Sequence, residues 1–402
     1  MAGSCNCGFP CSWIHYRLSA ERDLSTVFHS SIPAKMEEIR VFSEEHVSDV
    51  ANLYLKAVRG QSRPAPQHLQ AYFREIYFGN PWVSPEISPL VFMSNGKLIG
   101  FLGVIPRTME FRGRPIRVAA VSPFMVDREQ SQGLAGMKLL RHLFNGPQDL
   151  SFTDGAANEA STVFTAAGAR ISRVYSFNWV RLLRPFETAR GLFDRVGGGL
   201  AKLKGVAGLV TAPMDLLLSK VPLGMLQRPK SLYSSRQASA PELLECIREA
   251  RGRESLKPVY TMPSFGWLMS EAGKGPGHKG FRMMTAYSPD GVRCGWFVYY
   301  AQPGRAAYVL QVGALRQLQF KDVLLALFQD AWEQGASALK GQAIPQFLTT
   351  LTEQYCLFRQ PYSCVVGYAR DPEIMNAFQC GDASLSRLDA GSWLRFSSEN
   401  WI

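Results

Sequence analysis

The alternation of apolar and polar residues changes period several times after Met36, and each change predicts an element. Residues 38–42 alternate as a short strand. Between 44 and 58, Val47, Val50, Leu53, Tyr54 and Ala57 recur at helical spacing and predict an amphipathic helix; a second helix is expected over 67–77. Beyond the turn-rich stretch 79–89, apolar runs at 90–94 and 97–105 flank Asn95-Gly96, the signature of a hairpin. Strands at 109–111 and 115–126 continue the sheet around a turn at Arg112-Gly113. A glycine-bearing loop then opens a helix over 133–143. A strand at 150–153, a helix at 158–167 and a strand at 174–183 close the unit. This order predicts an α/β arrangement on a mixed sheet.

The same order returns near the C-terminus. After a helix at 241–251 come strands at 281–287, 292–301 and 306–314, a helix at 320–333, a strand at 338–342, a helix at 345–355 and a strand at 362–369. An internal duplication is the economical reading, although the residues themselves share little identity. The expected organisation is an extension over 1–35, a first domain over 36–185, a basic amphipathic connector over 186–240 and a second domain over 241–402. The stretch 191–227 is interrupted by Lys202, Lys204, Pro213, Asp215 and Lys220, so it does not predict a membrane span. Two readings of it stand. One is peripheral contact of a basic helix pair with a membrane surface; the other, which we favour, is a connector packed on a domain.

Composition narrows the classes. With 46% hydrophobic and 19% charged residues, the chain is that of a globular protein rather than a disordered one. A net charge of +11 points to an anionic partner or surface. The basic residues are scattered, so no nucleic acid is expected. Cys246, Cys294, Cys356, Cys364 and Cys380 are irregularly spaced in apolar stretches and fit reduced thiols of a cytoplasmic protein. Cys5, Cys7 and Cys11 lie close together, but no second Cys or His pair follows at zinc-finger spacing; no metal is expected. The histidines show no nucleophile-elbow context, which argues against a Ser/His hydrolase.

The informative segment runs from Met125 and Val126 through Asp127-Arg128-Glu129-Gln130-Ser131-Gln132-Gly133-Leu134-Ala135-Gly136. It follows a strand and opens a helix, where unpaired N–H groups converge at the positive end of the helix dipole. Gly133, Ala135 and Gly136 let an anion approach the backbone, and a pyrophosphate suits such a place. Small residues at a helix start also serve tight helix–sheet packing.

Gln130-x-x-Gly133-x-Ala135 resembles the pyrophosphate loop of the GNAT N-acyltransferases. Asn158-x-x-Ser161-x-x-Phe164, followed by Gly168-Ala169, is similar to that family's later helix. The resemblance implies two tandem GNAT-like domains, the second degenerate, in an arrangement like that of FemAB-like bacterial envelope acyltransferases. It implies acetyl-CoA or another acyl-CoA as co-substrate and a primary amine as acceptor, such as an amino sugar or cell-envelope intermediate. Met125, Val126 and Asp127 would pair with the pantetheine arm, Gln130–Gly136 would hold the pyrophosphate, and Asn158 would bond near the thioester. Asp127 and Asp154 become candidates for the base, or for orienting its water; the competing reading is that each is only solvated or capping. Phe164 stands where many members carry a tyrosine acid, and it has no proton to give. A non-catalytic coenzyme-binding module and an aminoacyl-tRNA-dependent transferase are the alternatives. In the second domain Gly313-Ala314-Leu315-Arg316-Gln317-Leu318-Gln319-Phe320 offers no small residues at the helix start, so no pyrophosphate is expected there.

Overall fold

Two mixed β-sheets carry the strands that the apolar periodicity predicts. The computed structural model describes residues 36–131, 134–188, 228–250, 252–274, 280–360 and 363–397. In the first half β1 (Glu37–Val41) precedes helices α1 (Val47–Arg59) and α2 (Gln67–Tyr77). Strands β2 (Leu90–Ser94), β3 (Lys97–Phe111) and β4 (Arg114–Val126) form an antiparallel meander. Its first turn holds Asn95 and Gly96 at φ 50° and 75°, the left-handed pair that a tight hairpin needs. Next come α3 (Arg128–Ser131), α4 (Leu134–Phe144), β5 (Leu150–Ala157) and α5 (Asn158–Ala166). The expected strand at 174–183 is divided into β6 (Arg170–Ser172), the single turn α6 (Arg173–Ser176) and β7 (Asn178–Leu182).

The second half contains β8 (Ser234–Gln237), α7 (Ala240–Glu249), β9 (Leu256–Pro258) and α8 (Met262–Lys274). It continues with β10 (Phe281–Tyr287), β11 (Arg293–Tyr300), β12 (Ala306–Ala314), α9 (Phe320–Glu333) and β13 (Ala338–Gln342). Helix α10 (Leu348–Glu353), β14 (Leu357–Arg359), β15 (Ser363–Ala369) and α11 (Pro372–Cys380) complete it.

The sheets exchange strands. The first runs β1-β2-β3-β4-β5-β15-β6, with β9 on the far end of β3; the second runs β14-β7-β13-β12-β11-β10-β8. Strand β7 thus leaves the half that encodes it and pairs with β13 and β14, while β15 inserts between β5 and β6. The periodicity of a five-residue strand fixes which side chains face a core but says nothing of its neighbours. That is why the strand expected to close the first unit is found in the other sheet.

The described residues form one compact unit. One apolar core belongs to both halves: Phe73 and Phe101 from the first pack with Phe265, Leu268 and Trp296 from the second. A second core lies between the first sheet and α4 and α5, and a third between the second sheet and α9. Of the five later cysteines, all unpaired, only Cys380 is exposed. Burial pushes the Cys246 and Cys356 thiols up to about 12. Among the described residues no helix is long and apolar enough to cross a membrane. The stretch 191–227 and Cys5, Cys7 and Cys11 lie outside the described residues.

Glu271 on α8 is a buried acid whose carboxylate accepts from Lys274 Nζ at 2.7 Å. Burial raises its carboxyl above the usual range despite that bond. A pKa raised on folding favours the neutral form, so this contribution to stability is present at low pH and lost as pH rises through the folded value. Glu271→Gln should therefore leave the melting temperature unchanged at about pH 3, below the ordinary glutamate range, and raise it at about pH 7. Melting curves of both proteins at the two pH values check this, and an equal shift at both would refute it.

Candidate functional site

Strands β4 and β5 pair in parallel only over Val118–Ala120 against Leu150–Phe152. Beyond that point they separate, while β5 stays paired with β15 along its whole length and β4 with β3. Among the described residues, the separation leaves the β5-facing edge of β4, from Val121 to Val126, without a strand neighbour. An extended chain can add to such an edge through main-chain hydrogen bonds.

Helices α4 and α5 start beside the gap, both on its outer face. Ala135 and Gly136 are buried against β4, and a Cβ on Gly136 would lie 2.8 Å from the ring of Phe124. Gly136 thus lets the helix start sit down on the strand, as helix–sheet packing requires. Leu134 is exposed, Ser131 ends α3, and Gln132 and Gly133 lie outside the described residues. Asn158, the first residue of α5, is exposed at the mouth. Next to it, Glu159 forms an exposed ion pair with Arg128 of α3, joining the two helix starts. Phe164 is buried and meets Phe124 edge-on at 5.5 Å and Phe144 at 6.4 Å. Met125 points the other way, into the core common to both halves.

The two acids go to separate places. Asp127 is buried at the end of β4, where its Oδ2 accepts from Lys56 Nζ at 2.9 Å and Gln130 Nε2 at 3.1 Å, and its Oδ1 from the Glu129 amide at 3.1 Å. Lys56 also binds Glu129 at 2.6 Å, and these two acids, Glu129 foremost, raise its pKa. Beside them opens a groove of about 520 Å³ that carries Lys56, Arg63 and Lys97.

Asp154 faces inward from β5. Its Oδ2 accepts from Arg387 Nη1 at 2.9 Å and from the Ser392 hydroxyl, and its Oδ1 from the Ser392 and Gly391 amides at 2.9 and 3.3 Å. Gly391 also accepts from the Ser122 hydroxyl of β4 at 3.1 Å. The segment 387–392 therefore spans the gap between β4 and β5 on its inner face. A Cβ at Gly391 would fall 2.2 Å from Ser122 Cβ, so only glycine lets the chain pass. Sequence reasoning missed this segment; the run of small residues Ala390-Gly391-Ser392 is the one signal it offered.

No family model matches the sequence, and no curated protein does. Solved structures do. A conserved Enterococcus faecalis protein described as a probable N-acyltransferase superposes with a TM-score of 0.54 at 9% identity, over 83% of this chain and 73% of that one. A GCN5-related N-acetyltransferase from Anabaena variabilis gives 0.54 at 10% identity, over 84% and 74%. One from Kribbella flavida gives 0.51 at 13%, over 84% and 72%. The fold is that of the GCN5-related N-acetyltransferases. At these identities the likeness speaks for the GNAT fold alone.

Within the GNAT fold, the two sheets differ where it matters. The second also parts after a short parallel pairing, Ala306–Tyr308 of β12 against Ala338–Lys340 of β13. Its helix α9, however, begins at Phe320, whose ring stacks on Phe347 at 3.7 Å just before α10. The helix start of the second sheet is thus aromatic where that of the first is small.

Proposed function

We propose that the chain is an acyl-CoA-dependent N-acyltransferase that works in the gap of the first sheet. The observation that carries this reading is the free edge of β4 beside a helix start made of Ala135 and Gly136. The edge suits the amide-bearing pantetheine arm, and the loop 130–136 suits the pyrophosphate. A primary amine attacks the thioester carbonyl, forming the C–N bond; the tetrahedral intermediate then expels the coenzyme thiolate. The amine gives up a proton to solvent or base, and the thiolate takes one. Amides along β4 would polarise the carbonyl, and alignment of the two substrates would supply most of the rate.

In this reading Asp127 and Asp154 hold the walls of the gap rather than take a proton, since each carboxylate already carries a cationic partner and further donors. Phe164 packs behind the gap, and the thiolate leaves without a phenolic acid. The resemblance implies an amino sugar or cell-envelope intermediate as acceptor.

Calorimetric titration of the full chain with acetyl-CoA tests the proposal. Binding is expected, and Gly133→Glu should abolish it by placing bulk and negative charge where the loop must hold phosphates. Binding that survives this substitution would remove the loop from the site. Binding with no transfer to any of a panel of amines would favour the non-catalytic reading, in keeping with Phe164.

A further inference from the structure

The gap of the first sheet is walled on both faces near the point where its strands join. Pairing of β4 with β5 ends at Ala120 and Phe152, and Ser122 and Asp154 each lie two residues beyond. Val121 and Phe124 pack on the outer core, whereas Ser122, half-buried, turns inward to the segment 387–392. That segment joins Ser122 to Asp154. Gly391 accepts the Ser122 hydroxyl on its carbonyl at 3.1 Å and donates its amide to Asp154 Oδ1 at 3.3 Å. The approach leaves no slack: a Cβ at Gly391 would fall 2.2 Å from Ser122 Cβ and 2.8 Å from its Oγ. On the outer face Phe124 and the buried Phe164 meet edge-on at 5.5 Å.

The inner wall is anchored at several points. Arg387 Nη1 and the Ser392 amide each donate to Asp154 at 2.9 Å, and Arg387 Nη2 donates to Asn178 at 2.6 Å. The residues that follow, Trp393, Leu394 and Phe396, are buried in the core common to both halves. Displacing the segment would break a buried ion pair. That costs more than is gained by burying one or two additional methylene groups.

A coenzyme arm on the free edge of β4 would run toward these walls. Tethered by its pyrophosphate at the loop after β4, it passes back from Val126 to Ser122, about 13 Å at roughly 3.3 Å per residue. The acyl group then arrives at Ser122, between the two walls, with the junction of the strands only about 7 Å further on. We propose that Ser122 and Gly391 set the length of the acyl chain and confine the donor to short-chain acyl-CoA. The inference rests on the acyl-CoA reading of this gap. The wall owes two heavy atoms to the Ser122 side chain, and butyryl exceeds acetyl by two carbons.

Calorimetric titration of the full chain with free coenzyme A, acetyl-CoA and butyryl-CoA tests the inference. Butyryl-CoA is expected to bind about tenfold more weakly than acetyl-CoA, a usual cost of overfilling a packed site. Ser122→Gly, which removes both side-chain heavy atoms, should bring the two affinities together. Ser122→Ala, which removes one, should do the same for acetyl-CoA and propionyl-CoA. A cooperative melting transition shows that each variant is folded. If the wild type binds acetyl-CoA and butyryl-CoA equally well, the inference is overturned and the acyl-CoA reading stands. A preference for acetyl-CoA that persists unchanged in the folded variants would also overturn it, because the wall would then lie elsewhere. If neither the free coenzyme nor any thioester binds the wild type, the acyl-CoA reading fails and this inference with it.

Discussion

Arg387→Met should lower the stability of the protein by about 3–5 kcal/mol, the range for breaking a buried ion pair from one side. Both members are almost wholly enclosed, with side-chain exposures of 6% and 2% for Arg387 and Asp154. Removing the guanidinium leaves Asp154 with hydroxyl and amide donors only, and also releases Asn178, whose Oδ1 accepts from Arg387 at 2.6 Å. The pair Asp154→Asn with Arg387→Met should recover much of the loss, because no charge is then stranded. Denaturation midpoints of the three variants decide the matter. A double variant as unstable as Arg387→Met would show that geometry, not charge, ties the segment 387–392 to β5.

Phe164→Ala should cost about 3–5 kcal/mol, as deletion of a buried aromatic ring does. The ring fills the contact between Phe124 on β4 and Phe144 on α4, so its loss opens a cavity behind the gap. Phe164→Tyr asks the complementary question. A hydroxyl placed in this apolar contact has no partner, which costs about 1–3 kcal/mol. If Phe164 only packs, the tyrosine variant is destabilised and transfers acetyl groups no faster. A faster variant would mean that the ring edge reaches the leaving thiolate.

Most elements were legible because their periodicity was clean. The meander of β2, β3 and β4 announces itself through Asn95-Gly96 and Arg112-Gly113, and α4 and α9 through their apolar stripes. What periodicity lacks is partnership. It placed a strand near 174–183 and another near 362–369, and gave no hint that each completes the opposite sheet. Of the candidate site, the sequence shows the local backbone setting, a small-residue helix start at Gly136 after the end of β4. Asp154 shows the limit. A carboxylate at a strand end looks the same in sequence whether it faces a substrate or an arginine 233 residues further along. The Arg387 contact is long-range, and its only local trace is the small-residue run Ala390-Gly391-Ser392.

The crossed strands have a consequence for the history of the molecule. Each half now lacks a piece that the other encodes, so neither can be deleted, transplanted or expressed apart without leaving an open sheet edge in both. A recombination event that replaced one half with a relative's would have to bring a compatible β7 or β15 with it. The half without small residues at its helix start is thereby needed by the other, whose sheet it completes through β15.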